Sequence, residues 1–225
     1  MSNKEVARST ADAPNVRRIG RIGGPVEVDA LRTALALGRE QRGVEFKGPG
    51  LRTDKPFLAK VVRATIGMAN TPDGGTVIIG VAEKDDQLDP IGLRPDEIAT
   101  WGYDDLHANV TNYADPFVEF DVGTVQMDGK QFIAIDVVEF AEMPVICKRD
   151  YADVLRDGAL YVRRRGKNET VEVPSHVEMR EVIERASEKS ARRMLATVAR
   201  LVPGAVELPE ESASAQFDAE VEDLL

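Results

Sequence analysis

The sequence predicts an α+β fold, a mixed, partly antiparallel sheet flanked by helices and followed by a long C-terminal helix. Three observations carry this. Thr76-Val77-Ile78-Ile79-Gly80-Val81 is a continuous, largely β-branched run, the pattern of a strand covered on both faces. Phe117 to Met127 and Gln131 to Val138 are strand-like runs joined through Asp128-Gly129, a type I′ turn signal that makes them a hairpin. Ser175-His176-Val177-Glu178 has the spacing of a capping box and opens a helix towards Leu201.

The other elements follow in chain order. Met1 to Gly24 carries Lys4, Arg8, Arg17, Arg18 and Arg21 against Glu5 and Asp12 and has no apolar core of a secretory signal, so residues 1–25 read as a disordered basic arm. Val26 to Arg39 has near-helical apolar spacing at Val28, Leu31, Leu35 and Ala36. After Gly43, Val44-Glu45-Phe46-Lys47 alternates as a strand, and Gly48-Pro49-Gly50 is a loop. A second helix starts near Asp54 as its cap with Pro56 in the first turn, and Phe57, Val61, Ala64 and Met68 form its buried stripe. Asn70 to Gly75 is a turn; Glu83 to Gly92 is a polar, hairpin-like loop; Pro95 to about Tyr113 reads as one helix, ended by Pro116. Short strands are expected near Val145 and at Leu160-Tyr161-Val162. Val182, Ile183, Ala186, Leu195 and Val198 supply the apolar face of the last helix, which Pro203-Gly204 stops. The chain thus divides into the arm, a domain over 26–173, a helix over 174–202 and an acidic, disordered tail over 203–225.

Composition bounds the chemistry. The 225 residues are 43% apolar and 30% charged, enough for a real core, with a formal net charge of −10. Glu207, Glu210, Glu211, Asp218, Glu220, Glu222 and Asp223 supply most of that charge, so the body before the tail is nearly neutral. The single Cys147 excludes an internal disulfide framework and suits a reducing, cytoplasmic setting, and no apolar run reaches membrane-spanning length. There is no phosphate-binding GxxxxGK[ST] loop, no GxGxxG, no HExxH and no paired CxxC. His107 and His176 are the only histidines, which leaves carboxylates, hydroxyls, Lys and Arg to do any chemistry.

Three constellations stand out. Glu40 and Glu45 form an E-x4-E unit, and Gly43 lets the chain turn so that the two carboxylates can approach; a hard divalent metal that activates water would offset their charge, and Lys47 shares the strand face of Glu45. The same spacing equally describes a solvated Glu40 and a Glu45–Lys47 surface pair. Glu83, Asp85 and Asp86 follow the buried strand, either at a site beyond its end or in an ordinary acidic turn. From Lys148 to Lys167, Lys148, Arg149, Arg156, Arg163, Arg164, Arg165 and Lys167 stand against three Asp, with Tyr151 and Tyr161 available to stack on bases; a solvated basic loop is the alternative. Side chains of Arg163 to Arg165 alternate faces, so not all can serve one groove.

Glu45-Phe46-Lys47, the amphipathic helix after it, and Ala69-Asn70-Thr71…Gly74-Gly75-Thr76…Ile79-Gly80-Val81 together resemble the Schlafen AlbA_2 domain, over roughly Val28 to Val171. The resemblance implies a nucleic-acid partner, RNA favoured over DNA. Vertebrate Schlafen endoribonucleases use three acids and a divalent metal, Mg²⁺ or Mn²⁺, and their positions fall here on Glu40, Glu45 and Glu83, with Asp85 as an alternative third acid. Glu83 departs from the Asp of the nucleases. Lys47 would contact the phosphate, and Arg163, Arg164, Arg165, Lys167, Lys148 and Arg149 would position a structured RNA such as tRNA. The competing expectation is a non-catalytic module that binds nucleic acid or nucleotide in a regulatory or defence assembly. A homodimer is expected, because the vertebrate nuclease core joins two related lobes and this chain has room for one. The last helix or the acidic tail would meet any partner protein.

Overall fold

A computed structural model describes residues 17–18, 42–84, 87–165, 167 and 169–201. The helix expected over 26–39, Glu40, Asp85, the acidic tail and nearly all of the basic arm lie outside the described residues.

Five strands form the main sheet in the order β1-β7-β8-β3-β2, where β1 is Arg17–Arg18, β2 Val44–Lys47, β3 Gly75–Ile79, β7 Phe120–Met127 and β8 Lys130–Val137. β2 and β3 are parallel, with Glu45 opposite Val77 and Lys47 opposite Ile79; β3, β8, β7 and β1 pair antiparallel. The sheet is therefore mixed, as the sequence indicates. Parallel strands need a crossover, and α1 (Lys55–Ala69) supplies it between β2 and β3. Pro56 sits in its first turn, where a missing N–H breaks no helical bond. In the β7–β8 hairpin, Asp128 and Gly129 both adopt positive φ (50° and 75°), as a type I′ turn demands.

Both sheet faces are covered. On one, Val61, Val62, Ile66 and Met68 of α1 pack with Val77, Ile79, Ile133 and Ile135, joined by Leu106 and Val110 of α3 (Tyr103–Tyr113). On the other, Val44, Phe46, Ile78, Val125 and Phe132 form a second cluster. The continuous apolar run of β3 follows from this double burial.

The structure departs from the sequence reading at four places. The strand expected through Val81 ends at Ile79: Gly80, at φ 115°, turns the chain into a separate hairpin of β4 (Val81–Lys84) and β5 (Gln87–Pro90). A Cβ at Gly80 would come within 2.9 Å of the Phe132 ring. The helix expected from Pro95 to Tyr113 divides into α2 (Pro95–Ile98) and α3, because Trp101 turns fully inward and donates its Nε1–H to Gly50 O at 3.1 Å. A short strand that the sequence does not signal, β11 (Thr170–Glu172), pairs with β10 (Tyr161–Arg163). β6 (Ala114–Asp115) and β9 (Ile146–Cys147) form another small pair. Finally, α4 (His176–Leu201) buries only Val182 of its expected apolar face, and Ile183 and Leu195 are exposed. Ser175 caps it, accepting from Val177 N–H at 3.1 Å and donating to Glu178.

Candidate functional site

Period-2 alternation puts Val44 and Phe46 into one core cluster and turns Glu45 to the α1 side of the sheet. That side is not solvent. Glu45 is only 5% exposed, closed over by β10 and β11. Its Oε2 accepts from Arg163 NH1 at 2.9 Å and from the Thr170 hydroxyl, and its Oε1 accepts from Lys47 Nζ. Arg163, 1% exposed, also donates from NH2 to Val44 O at 2.9 Å and from Nε to Arg42 O at 3.2 Å. Burial acts most strongly on the Glu45 carboxyl and would raise its pKa; the charges of Lys47 and Arg163 and the hydrogen bonds from Lys47 and Thr170 outweigh it, so the pKa lies below the ordinary value. The Glu45–Lys47 pair is thus a half-buried arrangement with a second, deeper cation, rather than a surface pair.

Lys47 and Glu45 face an open cavity of about 660 Å³ whose walls include Arg63, Glu83, Asp153, Arg156, Tyr161, Glu169 and Glu172. The structure therefore brings Glu45, Lys47 and Glu83 to one cavity, and Glu83 is exposed on β4. Among the described residues, no three acidic, histidine or cysteine side chains converge as a metal ion requires. Both Glu45 oxygens are already engaged, and two cations offset its single charge. A divalent ion placed there would face the Lys47 ammonium and the Arg163 guanidinium directly. In the described arrangement, this donor set does not fit Mg²⁺ or Mn²⁺.

The basic stretch divides by environment. Arg163 is internal, as above. Arg156 forms a two-pronged pair with Glu172, Nε to Oε2 at 3.0 Å. Arg164 lies 3.4 Å from Glu169, and Arg165 lies 3.1 Å from Glu181 of α4. Lys148, Arg149 and Lys167 are exposed and hold no ion pair among the described residues.

Several residues of the sequence pattern have structural duties that the sequence alone does not reveal. The Asn70 side chain spans two segments: Nδ2 donates to Val145 O at 2.8 Å and Tyr161 O at 2.9 Å, while Oδ1 accepts from Val145 N–H at 2.8 Å. Gly74 (φ 75°) lies against β8, where a Cβ would come within 2.1 Å of Val137 O. Thr170 escapes sequence reasoning altogether, since a lone Thr in a polar stretch carries no signal until β11 seats it on Glu45.

No helix among the described residues is long and apolar enough to cross a membrane. No curated protein matches the chain. Solved structures similar to it include the DIP2311 protein from Corynebacterium diphtheriae, with 22% identity and a TM-score of 0.43 over 65% of this chain. The match takes in 26% of that protein, so the chain spans about a quarter of its length. Another is the N-terminal domain of a putative ATP-dependent DNA helicase RecG-related protein from Nitrosomonas europaea, with 25% identity and a TM-score of 0.42 over 66% of this chain and 94% of that one. The family profile "Schlafen, AlbA_2" matches residues 40–172, more than half of the sequence and the span that holds β2, β3, β7 and β8 of the main sheet, the cavity and the Glu45–Arg163 pair. The chain belongs to the Schlafen AlbA_2 family.

Proposed function

We propose that this chain is a nucleic-acid-binding AlbA_2 module that favours structured RNA over DNA and grips it from the rim of the cavity. The observation that carries this reading is the environment of the basic residues: Lys148, Arg149 and Lys167 stand exposed without counter-ions among the described residues, flanking segments that line the cavity. Phosphates would follow these cations on the rim, since the acids of the cavity wall repel a backbone inside it. Uncharged sugar and base edges suit the interior. Glu83, Asp153 and Glu169 are acceptors for ribose hydroxyls, which DNA lacks at the 2′ position. Fluorescence anisotropy with a labelled RNA hairpin and its DNA counterpart, measured across salt concentrations, tests the reading. A steep salt dependence with tighter RNA binding supports it; a flat curve removes it.

A second reading, metal-dependent endoribonuclease, is favoured by one observation, that Glu45, Glu83 and Lys47 line the same cavity. It requires an arrangement in which Glu45 exchanges Arg163 and Lys47 for a metal shared with Glu40 and Glu83. Incubating labelled tRNA with the protein and Mg²⁺ or Mn²⁺, beside Glu83→Gln, separates the two. Metal-dependent cleavage lost in the exposed Glu83 variant would establish the nuclease; binding without cleavage leaves the module.

A further inference from the structure

The charges that line the cavity do not all cancel. Glu45 holds Lys47 and Arg163, Glu172 holds Arg156, and Glu169 lies 3.4 Å from Arg164. Glu83, Asp150 and Asp153 are left without an ion pair among the described residues, and so is one guanidinium, Arg63. Asp150 is occupied in another way, since its Oδ1 accepts from Asp157 N–H at 2.9 Å.

Arg63 comes from the middle of α1 and is half-buried against the cavity. It lies close enough to Tyr161 to act on the phenol. Burial raises the pKa of that hydroxyl, and the bond from Arg156 N–H and the charge of Arg63 oppose the rise. Tyr161 also braces the wall that carries Asp153, because its hydroxyl accepts from Arg156 N–H at 2.9 Å. Tyr151 and Leu155 close the turn around Asp153 with two backbone bonds of 2.9 and 3.1 Å. Within it Ala152, at φ 42°, takes the left-handed conformation that a side chain with a Cβ disfavours. A helix and a braced turn thus present Arg63 and Asp153 to one cavity, and the two do not neutralise each other.

Arg63 offers a planar fork of N–H donors, and Asp153 offers a fork of two acceptor oxygens. Guanine is the one RNA base complementary to both. Its O6 and N7 are paired acceptors, and its N1–H and N2 amine are paired donors on the adjoining edge. Adenine, cytosine and uracil alternate donors with acceptors along each edge. The N1–H edge is free only in an unpaired base, the form in which RNA loops display their bases.

We propose that the cavity is a guanine-selective subsite. Arg63 takes the O6/N7 edge of one unpaired guanine and Asp153 takes its N1–H/N2–H edge. The inference deepens the nucleic-acid reading and rests on it: rim cations hold the phosphates, and these two side chains select the base. Glu83 stays available to the ribose.

The test is fluorescence anisotropy with RNA hairpins whose adenine loop carries guanine, inosine, 7-deazaguanine or adenine at one position. The guanine loop is expected to bind about tenfold tighter than the all-adenine loop, within the range of a bidentate contact. Inosine, which lacks the N2 amine, and 7-deazaguanine, which lacks N7, should each lose part of that preference. Arg63→Met and Asp153→Asn should each reduce the preference sharply, with the melting temperature and the salt slope unchanged. An Arg63 that held a phosphate would instead weaken all four hairpins alike and lower the salt slope by about one when replaced. That outcome, equal affinity for the four loops, or a preference that survives both variants overturns the subsite and leaves the rim intact. Absence of salt-dependent binding to every hairpin removes the nucleic-acid reading, and the subsite with it.

Discussion

Arg163 and Glu45, 118 residues apart in sequence, meet as a buried ion pair with NH1 2.9 Å from Oε2. The contact fastens β10 to β2 and closes the main sheet's open edge on the α1 side. It gives the glutamate of the Glu45-Phe46-Lys47 pattern a mechanical role in this chain.

Removing one partner should therefore damage stability more than binding. Glu45→Ala removes the described ionic partner of the buried Arg163 guanidinium and should lower the unfolding free energy by up to about 3–5 kcal/mol, the usual cost of breaking a buried pair. Arg163→Met should cost a similar amount. The double variant Glu45→Ala/Arg163→Met should cost clearly less than the sum, since neither charge then remains. Urea denaturation of the wild type and the three variants measures the coupling; additive effects would refute it.

Acid should weaken the fold through the same carboxylate. The folded-state pKa of Glu45 lies below its unfolded value, because burial, which raises it, is outweighed by Lys47 and Arg163 and by the bonds from Lys47 and Thr170. A depressed carboxylate contributes stability that is complete above the unfolded pKa and is lost as pH falls through the folded one. Stability should thus decline below the ordinary glutamate range. Glu45→Gln, less stable at neutral pH, should show a shallower decline. Denaturation midpoints across that acid range read the difference in slope.

The exposed basic residues should behave in the opposite way to Arg163. Substituting Lys148, Arg149 and Lys167 by Ala should leave the melting temperature unchanged and weaken RNA binding. The slope of log affinity against log salt should fall by about one for each phosphate no longer neutralised. Arg163→Ala should instead lower the melting temperature sharply. Equal loss of melting temperature in both sets would show that the exposed residues are structural.

Asn70 provides a check on the family pattern. Asn70→Ala leaves the Val145 N–H and the carbonyls of Val145 and Tyr161 without this partner. Each orphaned buried group costs about 1–3 kcal/mol. Hydrogen exchange at the Val145 amide should accelerate sharply; unchanged protection would mean that another group replaces the side chain.

How far the sequence can be read follows from how local each signal is. The β7–β8 turn is legible because Asp128-Gly129 encodes its own positive φ, and α1 because Pro56 and the apolar spacing act within one helix. Gly80 is visible as a glycine in a strand, yet the break it makes depends on Phe132 and Gly92, which come from other segments. Glu45, Lys47 and Glu83 stand out in the sequence and do share a cavity. The counter-ion of Glu45 is not legible: Arg163 sits among three consecutive arginines, and only pairing of β10 with β11 turns it inward while Arg165 stays out. For α4, the length is clear, but which of its apolar residues meet the body depends on the loop of Glu139, Phe140 and Glu142 beneath it.

The long reach from Glu45 to Arg163 also sets an order of assembly. All strands of the main sheet have been synthesised once Val137 leaves the ribosome, but the cation and hydroxyl that close over Glu45 arrive only with Arg163 and Thr170. A nascent chain between those points has the strand that carries Glu45 and the neighbouring Lys47, but not yet the Arg163 and Thr170 contacts that close over the carboxylate. The segment from Tyr161 to Glu172 is a latch over strands already synthesised, and its contacts carry the loop-closure cost of their long sequence separation. A fragment ending before Tyr161 would possess the whole sheet and still lack the step that makes it permanent.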